Sequence, residues 1–285
     1  MKNILVTGGN GQLASCIKDL SVKIEDYNFI YVDKDQLDIT DINAVKIFFK
    51  NNSVSFCINC AAYTAVDAAE LNKEAAERVN VHGAINLAVA CKTNDVVLIQ
   101  ISTDFVFDGM QTNLYKEQDK ANPLSVYGMT KLNAELAIAD VLIEHLIIRT
   151  SWLYSEHGHN FLKTMLKLGV ERDSLGVVTD QIGTPTYAGD LARTIMTIID
   201  KEIQNYGTYH FSNEGVASWY DFTKAIFDIA QVNCIVLPIN TDKYPTPAKR
   251  PSFSVMDKSK IKEKIDIEIP YWRDSLKDCM SKMKI

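Results

Sequence analysis

Tyr127 and Lys131 stand four residues apart in a stretch that reads as a helix, so they share one face, one turn apart. That spacing sets a phenol beside an ammonium. A neighbouring positive charge favours phenolate and is expected to pull the phenol below its free value near 10. A phenol so tuned can give or take a proton at neutral pH. Thr103 closes the apolar run Val96–Ile101 and offers a hydroxyl at a strand end. Tyr-x-x-x-Lys occurs on many ordinary helix surfaces, and what singles it out here is the half of the chain that precedes it.

That half begins MKNILVTGGNGQLA. Ile4, Leu5 and Val6 form a short apolar run suited to a strand covered on both faces. Gly8, Gly11 and Ala14 then give G-x-x-G-x-x-A before a helix starting at Gln12, a relative of the dinucleotide fingerprint. Glycine lets backbone approach a phosphate, and the first helical turn aims free N–H groups at it. A second strand, Phe29–Val32, ends at Asp33, 22 residues beyond Gly11, where such units set an acid against the adenosine ribose. Further strands at Phe56–Cys60, Val96–Ile101 and Leu146–Arg149 alternate with helices, among them Ile42–Lys50 and one over Ala65–Ala90 apart from its early turns. The alternation predicts an α/β doubly wound parallel sheet, a Rossmann fold, over residues 1–150. Residues 151–285 alternate irregularly and predict a smaller, mixed substrate-binding lobe, with segments near 177–212 returning to the first domain. Polar helices over Ser254–Lys264 and Trp272–Met283 close the chain.

Of 285 residues, 47% are hydrophobic and 23% charged, as in ordinary globular chains. The net charge of −6 argues against nucleic acid or anionic membrane as a partner. Neither a signal peptide nor an apolar run of about 18 residues is visible, so a cytoplasmic location is expected. Six cysteines carry no zinc spacing, since Cys57 and Cys60 lie three apart on a strand and face opposite sides. Free thiols are expected. His157 and His159 show no carboxylate or cysteine partner nearby, which reads as a loop, and no metal site is expected.

The ordered segments TGGNGQLA, NCAAYTAVDAAE, STDFVFDG, YGMTK, RTSWLY, DQIGTPTYAGDLA and RPSFSVMDKSKI resemble the extended short-chain dehydrogenases/reductases, and within them the dTDP-4-dehydrorhamnose reductase family. The likeness runs from Lys2 to about Trp272. It implies reduction of the 4-keto group of a dTDP-sugar by NADPH or NADH. It further implies Tyr127 as proton donor, Lys131 on the nicotinamide ribose and Thr103 on the keto oxygen. Gly11, Gln12 and Leu13 match the pyrophosphate turn, and Asp38 and Ile39 the adenine contact. Ala61, Ala62, Tyr63 and Thr64 match the cofactor-lining segment, while Asp104, Phe105 and Trp152 match the sugar-nucleotide contacts. Arg250 adds a guanidinium able to grip a diphosphate bidentately.

Two features depart from the family pattern. Some members pair through a magnesium-linked dimer built on acids where this chain reads Ala14-Ser15-Cys16 and Gly189-Asp190, so a monomer and a homodimer both stay open. Asp33 followed by Lys34 mixes an acid suited to NADH with a cation suited to NADPH. A related 4-ketoreductase, a nucleotide-sugar epimerase and a non-catalytic regulatory subunit remain the alternatives.

Overall fold

The computed structural model describes residues 1–22 and 24–283; residues 23, 284 and 285 lie outside the described residues. Strand β1 (Lys2–Thr7) sits between β2 (Tyr27–Val32) and β3 (Val54–Asn59), followed outward by β4 (Val97–Thr103), β5 (His145–Thr150) and a sixth strand, Gly207–His210. Every neighbouring pair in this sheet is parallel. Successive side chains of β1 explain the double covering. Ile4 and Val6 pack into the core on one face, with Leu13, Ile17, Leu191 and Ile195. Leu5 packs on the other, with Val45, Leu87, Ala134 and Ile138. A strand buried on both sides must be apolar at consecutive positions, which is why this run does not alternate.

The second lobe has its own core around Phe222, Ile226 and Leu276. Its parallel pair Ser174–Val178 and Ile235–Ile239 is flanked by helices Phe161–Glu171, Trp219–Ala230 and Trp272–Lys282. Of the stretch 177–212, helix Ala188–Asp200 packs on α1 (Gln12–Ser21) and Gly207–His210 joins the main sheet. Val177 and Val178 stay in the second lobe. Ser218 closes a reciprocal capping box with Asp221, so the helix beginning at Trp219 starts where a serine and an acid three residues later would start it.

Two expected helices are altered. The span Ala65–Ala90 is broken into Val66–Ala69, Lys73–Glu77, a wide π-helical segment Arg78–Gly83, and Ala84–Thr93. The wide segment turns Asn80 inward, where its amide accepts from Tyr63 N at 2.8 Å and donates to Thr130 Oγ1 at 3.0 Å. Ser254–Lys264 shortens to Ser259–Ile265, because Val255 and Asp257 are held extended by backbone bonds to Tyr115.

The helix that carries Tyr127, Val126–Val141, is pinned to the sheet from beneath. Glu135 is buried on that helix and accepts three hydrogen bonds from Arg149 of β5, from Nε at 3.0 and 3.1 Å and from Nη2 at 2.7 Å. Ser102 of β4 donates to the same carboxylate. Removing one partner of a buried pair leaves an uncompensated charge, a cost of about 3–5 kcal/mol. Glu135→Ala is therefore expected to lower unfolding free energy by about that amount in urea. A loss below about 1 kcal/mol would mean that the pair does not hold the helix.

Candidate active site

At the carboxyl edge of the sheet lies a cleft of about 1100 Å³ between the two lobes. One end is built on β1, the glycine turn and α1. Gly8 adopts φ +63°, and a side chain there would drive Cβ to 2.9 Å from Ala61 N. A glycine is required. Gly11 N closes the turn on Gly8 O at 2.9 Å, and no described side chain caps α1 at Gly11. The first-turn N–H groups therefore face the cleft free to receive an anion. Behind them Thr7 Oγ1 donates to Asn59 Oδ1 at 2.6 Å and receives Ala61 N at 3.3 Å, fixing β3's exit against β1. This cradle fits a dinucleotide pyrophosphate.

The adenosine end carries Asp33, Lys34, Asp38, Ile39 and Arg78. Asp33 accepts from Asn10 N at 3.2 Å, so the acid at the end of β2 also ties down the turn. Asp38 is bonded by Thr40 Oγ1 and N at 2.7 and 2.9 Å, which holds its carboxyl below the usual range. Lys34 and Arg78 add smaller pulls in the same direction. Arg78 was not among the sequence candidates. Only the π-helical widening brings it to the cleft, and no periodicity signals that.

At the other end Thr103, Asp104, Phe105, Tyr127 and Lys131 converge. Lys131 is buried, and its Nζ donates to Ile101 O at 2.6 Å rather than lying against the phenol. Burial pulls this lysine down to about 8, against the opposing charge of Glu135. The expectation of a phenol softened by Lys131 is corrected here. Burial pushes Tyr127 up to about 12, the neighbouring Thr103 hydroxyl pulls the other way, and Asp104 adds to the rise. Four-residue spacing aligns helix positions but does not aim a long side chain, and here the ammonium is bound to a backbone carbonyl instead. Asp104 is itself pushed up to about 6 by burial, and among the described residues its Oδ2 has no partner.

All the sequence candidates line this one cleft: Gly8, Gly11, Gln12, Leu13, Asp33, Asp38, Ile39, Ala61–Thr64, Thr103–Phe105, Tyr127, Lys131, Trp152 and Arg250. Arg250 arrives with its fork already held, Nη2 to Asp67 Oδ2 at 2.8 Å and Nη1 to Oδ1 at 3.1 Å. Trp152 stacks on Trp219 with ring centroids 3.6 Å apart. Gly183 allows this, since a Cβ there would lie 2.7 Å from the Trp152 ring. Trp219 was not among the sequence candidates. Its place in the cleft depends on a contact across 67 residues of chain. His157 lies in a loop as expected, but the expectation that it has no carboxylate partner is corrected, since its Nε2 lies 2.6 Å from Asp19 Oδ2.

A glycine-turn cradle on a doubly wound parallel sheet, ending at a tyrosine and lysine one helical turn apart, defines a nicotinamide-dependent oxidoreductase of the short-chain dehydrogenase/reductase type. A family model described as the RmlD substrate binding domain matches residues 1–285. The chain is 42% identical to a dTDP-4-dehydrorhamnose reductase of Aggregatibacter actinomycetemcomitans, over 98% of each chain. It is 33% identical to a dTDP-4-keto-6-deoxy-D-glucose reductase of Streptomyces niveus, covering 95% of this chain and 94% of the other. The crystal structure of a Bacillus anthracis dTDP-4-dehydrorhamnose reductase in complex with NADP superposes at a TM-score of 0.95, with 37% identity and 99% and 100% coverage. The chain thus belongs to the dTDP-4-dehydrorhamnose reductase family.

The lowered lysine has a kinetic consequence. Lys131 loses its proton as pH rises through about 8, while Tyr127 keeps its own to about 12. The kcat/KM for NADPH, which reports the free enzyme, is expected to fall on the alkaline side of about pH 8. A profile flat through that region would separate Lys131 from catalysis.

Proposed function

We propose that this protein reduces the 4-keto group of a dTDP-6-deoxy-4-keto sugar, dTDP-4-dehydro-L-rhamnose, to the alcohol of dTDP-L-rhamnose, with NADPH or NADH. The observation that carries the reading is the meeting of Thr103, Tyr127 and Lys131 at the far end of a cleft whose near end is a pyrophosphate cradle. The 42% identical reductase covering the same length supports the choice of sugar nucleotide.

When bound, the nicotinamide supplies the hydride. Everything else falls to the chain. The glycine turn and the first turn of α1 hold the pyrophosphate, with Gln12 and Leu13 beside it. Lys131, anchored on Ile101 O, holds the nicotinamide ribose. Thr103 and Tyr127 aim hydroxyls at the ketone oxygen, where negative charge grows as the carbon is reduced. Tyr127 then transfers its proton to that oxygen. A phenol held near 12 stays protonated until an oxyanion more basic than itself develops beside it, which suits a donor better than an acid ionised at rest.

Thr103 N-caps the short 3₁₀ turn that follows β4, so its hydroxyl is fixed by Phe105 N at 3.2 Å. Phe105 meets the Tyr127 ring edge-on at 5.8 Å and shields that side of the phenol from water. Asp104, Trp152 and Trp219 form the sugar side of the cleft. Arg250 binds the diphosphate by exchanging Asp67 for it, a swap between two bidentate anions. No described helix is long and apolar enough to cross a membrane. We place the enzyme in the cytoplasm as a monomer or homodimer, its partner a soluble sugar nucleotide rather than nucleic acid or membrane.

Purified protein with NADPH and a panel of dTDP-, UDP- and GDP-4-keto sugars is expected to lose reduced-nicotinamide absorbance with the dTDP-4-keto-6-deoxy sugar. Tyr127→Phe should lower kcat by about 10²-fold or more, with NADPH affinity nearly unchanged. Wild-type turnover in that variant would remove Tyr127 as donor, and oxidation with no member of the panel would favour a regulatory subunit.

A further inference from the structure

Behind the pyrophosphate turn, on the side of α1 facing the second lobe, lies a group of side chains that the reduction does not use. The Cys16 sulfur, a Glu156 carboxylate oxygen and a ring nitrogen of His157 all lie within 4.8 Å of one another. Cys16 is buried on α1, whereas Glu156 and His157 are half-buried on the loop between Tyr154 and Phe161 and leave one side open. Second partners hold the donors in place. Asp19 fixes the His157 ring at 2.6 Å, and Tyr187 donates to Glu156 Oε1 at 2.9 Å. Metal-binding histidines and carboxylates characteristically carry such outer partners.

The electrostatics lean the same way. Glu156 and Asp19 set negative charge beside the Cys16 sulfur, with the Lys282 ammonium the main opposing charge. Two carboxylates beside a thiol make a locus where a dication is stabilising. Sulfur, nitrogen and one carboxylate oxygen together select against magnesium and calcium, which take oxygen ligands, and suit zinc. A tetrahedral zinc with bonds near 2.0–2.3 Å needs donors about 3.5 Å apart.

We propose that Cys16, Glu156 and His157 form a binding site for one zinc-class divalent ion, which staples the loop at 155–160 to α1. On binding, the Cys16 sulfur forms the metal bond and its proton goes to solvent; His157 and Glu156 donate lone pairs, and water from the open side takes the fourth position. Nothing is oxidised or reduced. The ion would act on the cleft through Gln12, whose side-chain oxygen accepts from Ser155 at 3.1 Å and Asn160 at 2.9 Å of the same loop. All the donors come from one chain and include a thiol, which distinguishes the site from a carboxylate bridge between subunits.

The test is direct binding of metal to the full chain after chelator treatment. Titration with Co²⁺ is expected to give a thiolate-to-cobalt charge-transfer band saturating at one equivalent and bleached by Zn²⁺. Zn²⁺ should raise the thermal midpoint and Mg²⁺ should not. Cys16→Ser should abolish the band, and the half-exposed His157→Gln should weaken binding by about 10-fold or more without unfolding the chain. Absence of the band, a band that survives Cys16→Ser, or affinity unchanged in His157→Gln would each overturn the site. None of these readouts depends on which sugar the enzyme reduces.

Discussion

The buried contact between Glu135 and Arg149 is the constraint on which the reacting geometry rests. Glu135 lies four residues beyond Lys131 on the same helix, so one side of that helix carries in sequence the phenol, the ammonium and the anchoring carboxylate. The guanidinium reaches it from β5 while Ser102 reaches it from β4, the strand that ends in Thr103. A single carboxylate thereby sets the register between the helix bearing Tyr127 and the strand bearing Thr103. Arg149 also lies over the Phe107 ring and donates to Glu117 O, extending the clamp into the loop after β4. An apolar contact of equal area would hold the helix against the sheet but would let it slide. The fork of an arginine does not.

Above that clamp the cleft works by desolvation. Tyr127, Lys131 and Asp104 are each driven toward their neutral forms by burial. Keeping such groups dry costs stability, and in the proposed reduction it would leave a hydroxyl aimed at a growing oxyanion with little competition from water. The same dry environment explains why Lys131 turns to a backbone carbonyl: a buried ammonium must find an acceptor, and Ile101 O is within reach. The opposite end of the cleft is different in kind. There the surface is the backbone of the glycine turn and the open first turn of α1, and side chains mainly hold that backbone in place.

Much of this was legible beforehand. The consecutive apolar residues of β1, the glycine turn, Asp33 at the end of β2 and the four-residue spacing of Tyr127 and Lys131 are all local signals, and all lead to the one cleft. Four features were not legible. The π-helical segment at Arg78–Gly83 keeps helical composition, so nothing in the residue pattern marks the widening that turns Asn80 inward. Trp219 reads as an ordinary first helical residue until Trp152, held at φ +46° against Gly183, stacks on it. Arg250 meets Asp67 across 183 residues. His157 meets Asp19 across 138, although Glu156 stands beside it in the chain.

By itself, then, the order of residues determined the alternating architecture, the glycine turn and the four-residue spacing of Tyr127 and Lys131, because each depends on backbone conformation and spacing within a few turns of chain. Tertiary structure alone decided how those groups titrate, which cations are already paired, and which donors gather behind α1. Those outcomes depend on how much water reaches an atom and on which distant segment lies within about 3 Å of it. Neither quantity is encoded at any one position; both arise only when distant segments of the chain pack together.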